Sequence, residues 1–381
     1  RPIQGGFLLV DGSVEVNGTF ETLVRFQKGT MASEVAKILF PEGEGGTTMP
    51  KKPKTKKIKD TDYLTISARI RGMENTLMNR DKMEQLLETH SDEEVSRILQ
   101  EYGYPAFSLA DPEELDEAFS NVRRNIWKDL EQSMPDPRYL DVFRMKYDYH
   151  NVKAVLKAEA MHTSPDSMLS DLGRIPAEEV KRYVSSRGTE GELPPILAEA
   201  SREARQVLES TRDPQLCDMV LDRARFQEEL RVAEITGSRF LQGYVRDCID
   251  AANLQTLVRC LRVRKSKEFL AQALIEGGDI STDVLLHVEG RDGRALAAIY
   301  QTPGFKAAAE ASSVKGFEKS CDDAVTSYLA NSQLIPFGEA PVINYIAALE
   351  TEFTNLRIIL LGRKAGLTPM EIRGHLRNSY V

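Results

Sequence analysis

The chain has 381 residues, 41% hydrophobic and 28% charged, a balance that fits a globular protein of two or three domains and excludes disordered and collagen-like classes. Its longest apolar run is six residues, Ala295 to Tyr300, against the roughly 20 that a membrane-spanning helix needs, so no transmembrane segment is expected. The net charge is −8, unevenly split: residues 1–60 carry ten Lys and Arg against seven Asp and Glu, and residues 61–381 carry 40 against 51. A body that acidic argues against general nucleic-acid binding, where phosphate neutralisation dominates affinity.

The N-terminus shows no basic flank followed by an apolar stretch and a small-residue cleavage site, which predicts a cytoplasmic protein. Gly6 to Val10 and Ser13 to Asn17 are β-prone runs around Asp11-Gly12, a hairpin signal. Phe20, Leu23, Val24, Gln27, Met31, Val35 and Ile38 then recur at three- and four-residue steps, predicting a helix that Pro41 ends. Residues 42–60 combine glycines, prolines and six lysines with almost nothing apolar, the composition of a solvated linker rather than a nucleic-acid patch.

From residue 61 the periodicity is helical almost throughout. Ser91-Asp-Glu-Glu94 reads as a capping box, Asp111-Pro112 as a cap with proline in the first turn, and Thr368-Pro-Met-Glu371 as both. The fold class expected is all-α after a small α/β appendage. An internal repeat organises this body. Asp148-Tyr-His-Asn151 is followed 102 residues later by Asp250-Ala-Ala-Asn253, and after another 102 by Glu352-Phe-Thr-Asn355. Matching apolar pairs follow at Val155-Leu156, Leu257-Val258 and Ile359-Leu360. A weaker second signature, an aliphatic residue leading into cap-type residues, recurs at Ile175 to Val180, Ile280 to Leu285 and Leu367 to Ile372. The spacing predicts three similar helical repeats in a pseudo-three-fold arrangement, placed at 61–165, 166–268 and 269–381, behind an appendage at 1–41 and the linker at 42–60.

In each copy the acid and the amide lie three residues apart, on one helix face. Asparagine is a mediocre mid-helix residue, so its threefold recurrence asks for a reason, and a hydrogen bond that fixes a neighbouring helix or loop is the reading adopted. The alternative makes Asn151, Asn253 and Asn355 part of a partner-binding rim. Catalysis by Asp148, Asp250 and Glu352 is not expected, because a three-fold arrangement spreads the acids apart instead of converging them on one substrate. His90, His150, His162, His287 and His375 show no metal-ligand spacing, and Cys217, Cys248, Cys260 and Cys321 are too scattered for a disulfide or zinc framework and read as small buried hydrophobes. No phosphate loop or nucleophile elbow occurs, so no catalytic, cofactor-binding or metal site is expected. Arg259, Arg262, Arg264, Lys265, Arg363 and Lys364 gather near helix C-termini, where they complement the dipole or face a membrane-side partner.

Three segments carry a family resemblance: Tyr63 to Met78 with Arg69, Gly72 and Asn75, Lys146 to Lys157 around Asn151, and Leu367 to Arg373. Together they resemble the C subunit of the V/A-type ATPases, the relative of the d subunit of the eukaryotic V-ATPase, over roughly Met49 to Val381. Gly5 to Asp11, Glu15 to Asn17, Phe20 to Arg25 and Glu34 to Phe40 resemble instead the C-terminal end of the E subunit of the peripheral stalk in the same V/A-type ATPases. The resemblance implies a non-catalytic rotor subunit, a funnel of three helical domains on the cytoplasmic face of the proteolipid ring. It would receive the foot of the central shaft, formed by the D and F subunits, and touch the membrane only through the ring. A linker of this length spans at most ~70 Å, so joining a stator piece to a rotor piece would impede rotation, and a body separated from residues 1–48 by cleavage or its own initiation is expected. The competing reading is a helical-repeat scaffold or adaptor of another cytoplasmic complex.

Overall fold

Strands β1 (Gly6–Asp11) and β2 (Val14–Thr19) pair antiparallel, Gly6 opposite Thr19 and Asp11 opposite Val14. They belong to a first unit, residues 1–57, and the helical body is a second, residues 58–381. The computed structural model describes residues 6–11, 14–19, 58–89, 91–105, 111–286, 314–330 and 335–378. The helix and most of the linker expected over 20–57 lie outside these, as do His90 and His287.

After a 3-10 turn at Asp60–Tyr63, the described elements of the body are helical. In chain order they are α1 (Leu64–Glu74), α2 (Arg80–Glu88), α3 (Asp92–Glu101), α4 (Pro112–Ser133), α5 (Arg138–Met161), α6 (Ala177–Ser185) and α7 (Pro195–Thr211). There follow α8 (Pro214–Thr236), α9 (Arg239–Arg262), α10 (Lys267–Ala273), α11 (Thr282–Leu286), α12 (Val314–Ala330), α13 (Glu339–Lys364) and α14 (Pro369–Arg373). The caps fall where the sequence places them. Ser91 accepts from the Glu94 amide to start α3, half of the capping box expected there, Pro112 opens α4, and Thr368 and Glu371 exchange both capping bonds to start α14.

Three helices, α5, α9 and α13, run 24, 24 and 26 residues and carry the repeated acid and amide. Each ends alike. His162, Arg264 and Gly366, spaced 102 apart, take left-handed backbone, and the next residue's N–H reaches back to Ala158, Cys260 and Gly362 at 2.9–3.0 Å. The second halves of α5 and α9 each have a core of their own. Val152, Val155 and Leu156 of α5 pack with Val180, Leu197 and Leu221 of α6 to α8. Leu254 and Leu257 of α9 pack with Leu270, Leu285 and Phe317 of α10 to α12. The α13 side chains Phe353, Leu356 and Ile359 pack instead with Ile70, Leu86, Leu99 and Phe119, from the start of the body. Residues 58–133 and 339–378 therefore share one central core, which also takes in Leu140 and Phe143 of α5 and Leu241 and Val245 of α9, and the boundary expected at 165/166 falls inside another. A spacing of 102 residues sets the period of a repeat and leaves its phase open.

Candidate functional site

Asparagine in a long helix serves the same purpose three times. The Asn151 side chain donates to the Ser170 carbonyl and accepts from the Ser170 N–H, both at 2.8 Å. Asn253 does the same with Ile275 at 2.8 Å, and Asn355 with Arg377 at 2.9 and 2.8 Å. One amide thus satisfies both polar groups of a returning backbone residue that the helix could not otherwise pair. Aspartate would accept but not donate, and leucine would do neither.

The acids one turn earlier bind the chain just before the next helix. Asp148 accepts the N–H groups of Arg174 and Ile175 at 2.9 and 3.2 Å, and Asp250 those of Asp279 and Ile280 at 3.0 and 3.1 Å. Ile175 and Ile280 each stand two residues ahead of a helix, α6 and α11. Gly173 and Gly278 precede the contact, where a Cβ would overlap the aspartate oxygen, so the backbone approaches only because the side chain is absent. The sequence signal that marks the contact is therefore Gly-x-Ile rather than Ile alone.

Glu352 departs from this pattern. It accepts the Met78 N–H and the Tyr104 hydroxyl, both at 2.5 Å, and Met78 stands two residues ahead of α2. The third receiving segment lies 274 residues upstream and not at Leu367 to Ile372, which only caps α14. Further bonds join the same two parts of the chain. Ser67 donates to the Gly338 carbonyl at 3.2 Å, Arg373 grips Glu84 at 2.6–3.0 Å, Arg357 pairs with Asp116, and Arg363 reaches the Thr89 carbonyl.

The electrostatic settings of the acids differ. Burial pushes all three carboxyls above the ordinary range. Arg174 offsets this for Asp148 through a 2.6 Å ion pair, and the same guanidinium bonds Glu228 at 2.8 Å. At the matching place beside Asp250 stands another acid, Asp279, and Asp247, Asp250 and Asp279 lie within 4.8 Å of one another. Burial first, and then the Asp279 charge, raises Asp247 to about 7. A carboxyl that holds its proton more tightly folded than unfolded favours folding below its ordinary pKa, and stability falls as pH rises through about 7. Asp247→Asn should therefore melt with the parent near pH 4 and be more stable by about 1–3 kcal/mol at pH 8, after discount for partial exposure. Equal melting of the two proteins at pH 8 would contradict it.

Two residues before the acids, the long helices carry Lys146, Cys248 and Glu350, again 102 apart, and these line a common cleft of about 400 Å³. Arg225, Glu229, Tyr244, Gln255, Asp322 and Arg377 complete most of its polar wall. Its charges are paired. Glu350 accepts from Arg123 and Lys146, each at 2.6 Å, and Arg225 bonds Glu229 at 2.6 Å. Burial lifts the Glu350 carboxyl, and the Lys146 and Arg123 charges outweigh that and hold it below its ordinary value. Burial raises the half-buried Cys248 thiol to about 12, so it is neutral at physiological pH. Phe143 stacks on Tyr244 at 5.4 Å, and burial pushes that phenol well above its ordinary pKa. The charged groups of the wall thus bind one another. Cys217, Cys260 and Cys321 are buried, as expected. His150 meets the Met168 carbonyl at 2.9 Å and His162 sits in a helix C-cap.

The sequence profile described as ATP synthase (C/AC39) subunit matches residues 66–375. The C subunit of the V-type sodium ATPase of Enterococcus hirae is 25% identical over 330 residues, 84% of this chain and 99% of that one. The C subunit of the A-type ATP synthase of Methanocaldococcus jannaschii is 27% identical over 348 residues, 82% of this chain and 86% of the relative. Its namesake in Haloferax volcanii is 26% identical over 356 residues, covering 82% and 96%.

Proposed function

The chain belongs to the ATP synthase (C/AC39) subunit family and is a non-catalytic subunit of a rotary ATPase, and from that premise we propose that it joins the central shaft to the membrane rotor ring and passes torque between them. The observation that carries this reading is the cleft where equivalent positions of α5, α9 and α13 meet. Coupling needs a socket that keeps its shape under load, and here each wall helix is tied to its neighbours by buried amide and carboxylate bonds. The partners are the foot of the shaft, formed by the D and F subunits, and the proteolipid ring. Among the described residues no helix is long and apolar enough to cross a membrane, which suits a chain that reaches the bilayer's cytoplasmic face through the ring. Residues 1–40 fit this reading as a fragment of the stalk's E subunit, separate in role from the body.

Reconstitution tests the proposal. Proteolipid rings in liposomes should retain a D–F shaft only when this chain is present. A holoenzyme stripped of the chain should keep ATP hydrolysis in its head and lose ATP-driven ion uptake. Shaft retention by rings alone, or ion uptake that survives removal of the chain, would refute it.

A further inference from the structure

Helices α6 and α7 enclose a separate pocket of about 180 Å³, lined by Tyr183, Arg187, Ser201, Arg202, Arg205 and Glu209 among others. Three guanidiniums line it, two of them ion-paired, Arg187 with Glu209 of the lining and Arg205 with Glu159 just outside it. Arg205 is held in place, donating to Glu159 and to the Val184 carbonyl at 2.6 Å each, with 16% of its side chain exposed. Arg187 donates to Glu209 at 2.9 Å. Arg202 has no ion-pair partner among the described residues, only a 3.4 Å bond from Nε to the Ala198 carbonyl within its own helix. Ser201 is 4% exposed and its hydroxyl has no protein partner.

One guanidinium, Arg202, stays without a counter-charge beside two that are paired, and a buried hydroxyl without a partner costs free energy, so the arrangement can accept a further anion and a further hydrogen bond. A compact anion with several acceptor oxygens completes it. Guanidinium forks match tetrahedral oxyanions bidentately, and a phosphate group carries close to two negative charges at neutral pH. The volume lies below the ~300–1,000 Å³ of sites for drug-sized ligands, which leaves room for a phosphate group and not for a nucleotide. We infer that the α6–α7 pocket binds a phosphate-type dianion, either inorganic phosphate or the phosphomonoester head of a lipid. The inference does not depend on the coupling role.

The test is titration of the full chain with inorganic phosphate in low-chloride buffer, followed by calorimetry. Arg202→Gln, an exposed position whose change should leave the melting temperature within about 1 °C, is expected to weaken binding at least about tenfold, and Arg202→Lys to retain part of it. Sedimentation with phosphatidylcholine vesicles, with and without phosphatidic acid, separates the sources. Capture by phosphatidic acid that needs Arg202 assigns a lipid head, and phosphate binding without vesicle capture assigns the free ion. The proposal is overturned if neither inorganic phosphate up to about 10 mM nor phosphatidic acid vesicles bind, or if Arg202→Gln binds as the parent does.

Discussion

Glu352→Ala is expected to destabilise the body by about 3–5 kcal/mol and to lower its melting temperature by about 5–10 °C. The carboxylate is 5% exposed, and its two partners, the Met78 N–H and the Tyr104 hydroxyl, belong to residues that are themselves almost fully buried. Truncation leaves both donors without an acceptor in a place where water cannot replace it. Glu352→Gln retains an oxygen for Met78 and offers Tyr104 an N–H to accept, so its cost should be about 1 kcal/mol. The effect should also be local. Residues 58–104 are held to residues 338–373, α13 and α14, through this acid, Ser67, Arg363 and Arg373, so backbone amides there should exchange faster in the alanine variant. Protection around Leu197 and Leu221, which sit in the separate α5 to α8 core, should hardly change. A melting temperature within about 1 °C of the parent would show that Glu352 does not close this core.

The contrast between Glu352 and the two aspartates also marks how far the sequence could be read. Spacing alone located all three acids and all three amides, because a repeated polar pair inside an apolar helix face stands out against its neighbours. Capping residues were legible for a similar reason: Ser91 and Thr368 act on amides three residues away. The receiving partners were not legible. Met78 is 274 residues from Glu352, and nothing in the local pattern of Thr76-Leu77-Met78 distinguishes it from an ordinary helix lead-in. The cap signature that follows α13 at Leu367 to Ile372 gives no hint of it, because the segment that meets Glu352 precedes the repeat by most of the body. The shared ends of α5, α9 and α13 show the reverse case. His162, Arg264 and Gly366 have little in common chemically, and the backbone makes the same turn at each, so no residue pattern announced it. Charge was similarly opaque: Arg174 and Asp279 are equivalent in place and opposite in sign, and only the fold brings each beside its acid.

Among the amides, Asn253→Leu should have the largest effect, about 2–5 kcal/mol, because Asn253 is fully buried and its partner Ile275 is 6% exposed. Leucine fills similar space but leaves the Ile275 N–H and carbonyl unpaired away from water. The same change at Asn151 or Asn355 strands Ser170 or Arg377, whose backbones lie at half-buried positions, so water can take over part of the bonding and the loss should be smaller. Thermal melts of the three single variants should therefore rank Asn253 first. Assembly with shaft and ring subunits, measured at a temperature where each variant remains folded, distinguishes a structural amide from a contact residue. If the amides act only on the backbone segments they hold, folded variants should assemble as the parent does. If one of them melts normally and fails to assemble, that amide belongs to a partner surface. The geometry favours the first outcome, since each side chain already spends its acceptor and a donor on a single residue of its own chain.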